Sequence, residues 1–281
     1  MMDIEPVLKD TKTIRVNDLA TRRHAQRMNL TQALPLLASP DSGLTLIRSE
    51  DFLSDGKNRY PLREEIPLLL PASLHEYFSD RLSVPAQANR DSFFQYFYLS
   101  SIKQSGEIGE INASFENEHY QRHLHRMNEM VADCHGTVLD VGCDNPKIGA
   151  SIFPFSATYV GLDPFCQSLQ EFRLIGVAEF LPFLSNSLDN VVFNTSLDHV
   201  LDWHRAINEA YRVLVKDGAL YISTLVWTQN ADLLSDSVHF HHFREYEILQ
   251  GLEGFKIMKT KRYDYKGNEH RHGLYLKAVK K

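Results

Sequence analysis

Cysteine is scarce in this chain. Only Cys134, Cys143 and Cys166 occur, and no CxxC spacing relates them. Neither a disulfide framework nor a cysteine-rich zinc site is therefore available. Basic charge is also in short supply: 30 Lys and Arg against 36 Asp and Glu leave a formal net charge of -6. A nucleic-acid binder usually carries a basic surplus, so nucleic acid is not an expected partner. Long apolar runs are missing too. "IPLLLP", Ile66 to Pro71, falls far short of the roughly 20 residues a membrane helix needs. The opening "MMDIEPVLKD" has no basic-then-apolar signal region. These absences lead us to expect no membrane insertion and a cytoplasmic, reducing environment. No repeat or low-complexity tract occurs, and nothing in the sequence indicates an oligomeric state.

What is present points to a packed core, with 43% hydrophobic and 11% aromatic residues. Residues 1–29 are polar and charged and read as an arm. Residues 30–72 mix short apolar stretches with Pro, Gly, Asp and Ser, the pattern of a small β-rich unit. Residues 73–133 read as a helical linker or cap, with the aromatic run "DSFFQYFYLSSIKQ"; Arg122, His123 and Arg126, at helical offsets, could cover a site beside this helix, but a solvated face is the expected reading. From 134 to 281 strands alternate with helices. The strands are "TVLDVG", "ATYVGLD", "NVVFNTS" and "ALYISTLVW". The clearest helix is "DWHRAINEAYRVLVKDG", with Asp202 as its cap, Ala206, Ile207, Ala210, Val213 and Leu214 as its apolar stripe, and Gly218 as its end. This pattern predicts a Rossmann-like, doubly wound α/β sheet of mostly parallel strands. The tail from Phe255 reads as a hairpin around "KGN", lying antiparallel at one edge.

In such a sheet a ligand sits beyond the carboxyl ends of the strands. After the first strand the chain turns through "VGCDNPKIG", with Gly142 in place but Asp144 and Pro146 where glycines would suit a close ligand. The second strand ends in Asp163, placed to accept hydrogen bonds from the two hydroxyls of a ribose. Too few glycines and a single basic residue, Lys147, argue against a pyrophosphate. Adenosine without phosphates fits better, which indicates S-adenosyl-L-methionine (SAM).

Residues 137–226 resemble the class I SAM-dependent methyltransferases, of the methyltransferase type 11 kind. "VLDVGCDNP" is similar to the family's hhDhGCGxG, and "YVGLDP" to its ribose-binding stretch. "GVAEFLPFLSNSLDNVVFNTSLDHVLD" is similar to GDAExLPFxxxSFDxVxxxxxLxHxxD, and "EAYRVLVKDGALYIST" to ExxRVLKPGGxLxIxx. The resemblance implies a seven-stranded sheet. It implies that Asp140, Gly142 and Cys143 face the methionine part of SAM and that Asp163, with Pro164, holds the ribose. Ala178 and Glu179 would border the adenine, and Thr195 to Leu197 would line the methyl-bearing side. Asp144 replaces the second glycine, Val177 stands where an adenine-binding acid is usual, and the span from Asp163 to Gly176 leaves little room for a helix. Residues 30–72 resemble the zinc-ribbon-like domain beside some tRNA and rRNA methyltransferases, through "LLASPDSGLTL" and "YPLREEIPLLLP". Ser39 and Ser42 stand where the first two cysteines would be, so no zinc is expected there.

Methyl transfer to a hydroxyl needs a base beside the cofactor. "SLDHVLD" offers His199, whose imidazole suits neutral pH, with Asp198 to orient it. "HFHHFREYE" adds His239, His241 and His242 as candidate substrate contacts, with His239 and His241 sharing one side if the segment is extended. Three histidines near Asp198 could in principle bind a metal, but their spacing is not diagnostic of one, and substrate contact or a structural role is the expected reading, with no resident metal. The absence of an Asn-Pro-Pro-Tyr motif disfavours a base or Gln amide as acceptor; the LDH…HHF pattern resembles methyltransferases of glycan and small-metabolite biosynthesis, which implies a small-molecule or glycan acceptor, with a hydroxyl expected. The competing readings are an RNA methyltransferase guided by the front domain and a non-catalytic binding partner with this fold.

Overall fold

The computed structural model describes residues 7–9, 11–74, 118–164, 171–228, 239–265, 268 and 270–281. The aromatic run at 91–104, Cys166 and the helix in question after the second core strand lie outside the described residues.

The large sheet has eight strands among the described residues. Its order is β1 (Gln26–Arg27), β7 (Ala157–Asp163), β6 (Gly136–Val141), β9 (Leu188–Asn194), β10 (Leu214–Trp227), β12 (Arg271–Lys280) and β11 (Phe255–Asp264), with β8 (Leu174–Ile175) beside β7. Parallel pairing runs from β1 through β10, and β12 is antiparallel to both β10 and β11. The expected doubly wound sheet and edge hairpin are therefore present, but with eight strands rather than seven. The addition is β1, from the expected arm: Gln26 and Arg27 register with Thr158 and Tyr159. Two exposed polar residues give no strand signal of their own; the open edge of β7 recruits them.

The central strands are apolar because both faces are covered. Leu139, Val191, Phe193, Leu220 and Ile222 share one core with residues of the front segment, including Leu37, Leu53, Tyr60 and Leu69. Helix α5 (Trp203–Val213) is capped by the Asp202 carboxylate, which accepts from the Arg205 N–H. It buries Ala206, Ile207, Ala210 and Val213, as its spacing predicts. It stops earlier than expected, however. Leu214 already opens β10, and Gly218 lies inside that strand, at an irregularity where Asp217 adopts φ 63°.

The front segment contains helix α2 (Leu30–Ala33) and a small antiparallel sheet, β2 (Ile47–Arg48), β3 (Phe52–Ser54), β4 (Arg59–Arg63) and β5 (Ile66–Pro67). It docks along one stretch of the large domain. Leu69 N–H donates to Ile175 O at 2.7 Å, Ala38 N–H to Pro182 O at 3.0 Å, and Leu184 N–H to Leu36 O at 2.9 Å. Ser39 Oγ meets Tyr60 Oη at 2.7 Å, and the Ser42 hydroxyl donates to Asp55 at 2.6 Å. No helix among the described residues is long and apolar enough to cross a membrane.

Candidate functional site

The strand order reverses at β6, which has β7 on one side and β9 on the other. Chain connections leave in opposite directions there and open a crevice at the carboxyl ends. Three polar groups stand at that rim: Asp140 on β6, Asp163 ending β7 and Asn194 ending β9.

The turn after β6 is built tightly. Gly142 has φ +77°, and a Cβ there would fall 2.4 Å from Ser196 Cβ, so no side chain fits. The Ser196 hydroxyl in turn donates to Val141 O, which joins the turn after β9 to the end of β6. The N–H groups of Gly142 and Cys143 both reach Leu162 O, at 2.8 and 3.3 Å, so they serve the fold. Asp144 adopts φ +41°, the left-handed region where the family pattern has glycine. Its N–H donates to Asp163 Oδ2 at 3.0 Å, and Arg173 Nη1 donates to its carbonyl. A carboxylate and a guanidinium thus hold an unfavourable turn from two sides. Asn145 then caps helix α4 (Pro146–Ile152), with Pro146 in the first turn.

Asp140 is buried, and its Oδ2 accepts from Tyr159 Oη at 2.8 Å. Helix α4 approaches this pair closely at Gly149, where a Cβ would meet Tyr159 Oη at 2.3 Å. Asp140 Oδ1 has no hydrogen-bond partner. Burial pushes the Asp140 carboxyl up to about 7; the Tyr159 bond opposes this and the negative field of Asp163 adds to it. Two neighbouring buried carboxylates, one with an open oxygen, suit a cationic ligand. SAM carries a sulfonium and an ammonium, and the residues present fit it.

Glu179 is buried in the 3-10 turn Ala178–Phe180. One of its oxygens accepts from the N–H groups of Leu201 and Asp202, at 2.6 and 3.0 Å, and its carbonyl accepts from Arg205 Nε. It therefore ties the turn Ala178–Phe180 to the start of α5. Thr195, exposed and at φ 57°, and buried Leu197 follow β9.

A second cluster, which holds the candidate base, forms around the 3-10 turn Leu197–His199. Asp198 is 1% exposed, and its carbonyl accepts from the N–H groups of Phe240 and His241 at 3.0 and 3.1 Å. That clamp draws the segment after β10 across the turn after β9. His199 Nε2 stands 3.9 Å from Asp198 Oδ1, and His239 Nε2 stands 3.7 Å from Asp198 Oδ2. The two imidazoles lie 5.1 Å apart. His241 does not join them. Its Nε2 bonds Val200 O at 2.8 Å and its ring stacks on Phe243. His239 and His242 both meet the Trp227 ring, so the expected alternation within this segment does not hold. The segment is not a strand.

Several residues at the site gave no sequence signal. Arg173 reaches the turn from ahead of β8. Tyr120, on helix α3 (Glu118–Met130), is half-buried, and its phenol is pushed up to about 12 by burial and by the fields of Asp144 and Asp140. His123 on the same helix bonds Tyr275 Oη at 2.7 Å and Asn194 Oδ1 at 2.9 Å. Burial drives its pKa down to about 4, despite the bond to Asn194. Helix α3 read as a solvated face, yet it covers the rim.

Comparison with known proteins agrees with this geometry. Residues 139–222 match the family model described as "Methyltransferase domain". The ubiquinone biosynthesis O-methyltransferase of Bos taurus mitochondria is 26% identical over an alignment of 108 residues that covers 33% of this chain and 29% of that protein. The chain thus matches less than a third of that relative's length. A Burkholderia thailandensis 1,6-didemethyltoxoflavin-N1-methyltransferase, solved with S-adenosylhomocysteine, superposes with a TM-score of 0.51 at 16% identity, covering 70% of this chain and 94% of its own. Residues 139–222 are therefore similar to a methyltransferase domain, and they lie on a Rossmann-like sheet.

Proposed function

We propose that this protein is a SAM-dependent methyltransferase that methylates a hydroxyl of a small-molecule or glycan acceptor. The observation carrying the reading is the pair Asp140 and Asp163, buried on adjacent strands at the crossover point, with one Asp140 oxygen unpartnered. Bound there, SAM would supply an electrophilic methyl group. Asp163 would accept from the ribose hydroxyls while keeping the Asp144 N–H, since a carboxylate has about four acceptor sites. Asp140 would face the ammonium, with Gly142, Cys143 and Pro164 shaping the same end. Ala178 would border the adenine, with Glu179 acting through the loop it ties. Thr195 and Leu197 would line the methyl side. His199, 3.9 Å from the Asp198 carboxylate, would take the hydroxyl's proton as the new bond forms, with Asp198 stabilising the imidazolium. Similarity to an O-methyltransferase supports a hydroxyl acceptor. The front segment, zinc-ribbon-like in its sequence pattern, backs the adenine-side turn through Leu36, Ala38 and Leu69, and we assign it support of that turn.

Calorimetry with SAM and with S-adenosylhomocysteine tests the reading. Binding of both at micromolar affinity is expected. Affinity weaker than millimolar for both would leave a non-catalytic protein with this fold.

A further inference from the structure

Asp198, His199 and His239 each present one ligand atom, and the three atoms lie within 4.8 Å of one another. We propose that these side chains bind one divalent transition-metal cation, with further coordination positions open to oxygens of the acceptor. The role for the acceptor rests on the methyltransferase reading above; cation binding does not.

Asp198 carries the argument. Its side chain is 2% exposed, and its Oδ1 has no hydrogen-bond partner. A buried carboxylate left in that state is costly. The groups that pair with it among the described residues are imidazoles, at 3.9 and 3.7 Å. Both separations exceed a hydrogen bond. They suit atoms that share a third body instead. Ligand atoms each about 2.0–2.2 Å from one cation lie roughly 3–3.5 Å from each other, so the widest separation needs to close by about 1.3–1.8 Å, within reach of side-chain rotation.

The donor set narrows the cation. Two imidazoles and one carboxylate, with positions left open, suit zinc and the neighbouring divalent transition metals; magnesium and calcium prefer all-oxygen sets. The frame is held independently of any ion. His199 sits on the 3-10 turn, and the Asp198 carbonyl fixes the backbone just after His239 through Phe240 and His241. His241 is excluded as a ligand through Nε2, which bonds Val200 O. A cation at this point would hold an acceptor hydroxyl beside the crevice and lower its pKa. His199 would then be a ligand, and the metal would replace it in activating the hydroxyl.

The test uses the full chain, stripped with a chelator and titrated without SAM. Cobalt(II) is followed by its visible absorption and zinc by calorimetry. One equivalent of each is expected to bind. His239→Asn, His199→Asn and Asp198→Asn should each weaken binding by about 100-fold or more, while His204→Asn leaves it unchanged. Melting curves establish that each variant is folded; should Asp198→Asn not fold, the two histidine variants decide. Lack of stoichiometric binding by the wild-type chain overturns the proposal, as does binding that survives His239→Asn. SAM calorimetry on the same sample separates the two readings. SAM binding without metal binding sinks this inference alone, and metal binding without SAM binding sinks the methyltransferase reading alone.

Discussion

The two sides of the crevice are built differently. On the cofactor side the carboxylates are embedded in the fold: Asp163 holds the Asp144 N–H, and Asp140 holds the Tyr159 hydroxyl. On the acceptor side Asp198 is equally buried, but its carboxylate faces two imidazoles across nearly 4 Å. The first region is largely complete as folded and needs only a cation at Asp140. The second brings its three side chains together at separations longer than a hydrogen bond. Binding of a common cofactor rewards a preformed turn, whereas the acceptor side gains its final geometry from what binds there.

The contrast breaks most sharply at Asp163. Asp163→Ala removes the acceptor for both ribose hydroxyls, each bond to a charged group contributing about 1.5–3 kcal/mol. SAM affinity should fall by about 10³-fold, or ~4 kcal/mol, by calorimetry. His199→Ala should leave SAM affinity within about threefold, with turnover reduced by about 10²-fold or more. Should His199→Ala weaken SAM as much as Asp163→Ala does, the division into two regions is wrong.

Asp140 sharpens the comparison through pH. Its carboxyl titrates near 7 in the folded protein, raised by burial and by Asp163 against the bond from Tyr159. An unfolded Asp titrates near 3.9. The folded state thus binds the proton more tightly. Stability from this group is full below about pH 4, declines as pH rises, and levels off above about 7. Asp140→Asn removes the decline. At pH 8 the variant should be more stable than the wild type by about 2–3 kcal/mol in denaturant unfolding without ligand, yet bind SAM about 10-fold or more weakly. An unchanged pH slope in the variant would mean that Asp140 is not the buried titrating group.

The features legible in the sequence were those with local causes. Alternating apolar strands, the Asp202 cap and the Phe255–Lys280 hairpin rest on periodicity or on one side chain, and the fold follows them. What escaped depends on partners distant in sequence. The pair Gln26–Arg27 becomes a strand only because β7 has an open edge. Arg173 matters because the chain brings it to the Asp144 carbonyl, 29 residues away. His123 reads as part of a solvated helix face because nothing local reveals that Asn194 and Tyr275 meet it. Glu179 sat in the right motif, but its carboxylate is committed to two backbone N–H groups of the loop before α5. For the histidines, residue type identified the cluster, and the clamp on the Asp198 carbonyl decided that His239, not His241, reaches it.

Asp144 gives the smallest effect and the finest distinction. It stands at φ +41° where the family pattern has glycine. A non-glycine residue in this region costs on the order of 1 kcal/mol, less for Asp than for most. Asp144→Gly relieves that strain but gives the unfolded chain more freedom, an opposing term of about 0.4–1 kcal/mol. The backbone bonds to Asp163 and Arg173 use main-chain atoms and survive the change. Stability should therefore move by less than about 0.5 kcal/mol. The Asp144 side chain is exposed, so its attraction for a cationic cofactor is screened and worth only tenths of a kcal/mol. SAM affinity should fall by about threefold at low salt and by less at high salt. A tenfold gain in affinity would instead mean that the Asp144 side chain obstructs the crevice, and that the turn is a compromised version of the glycine pattern rather than a working substitute for it.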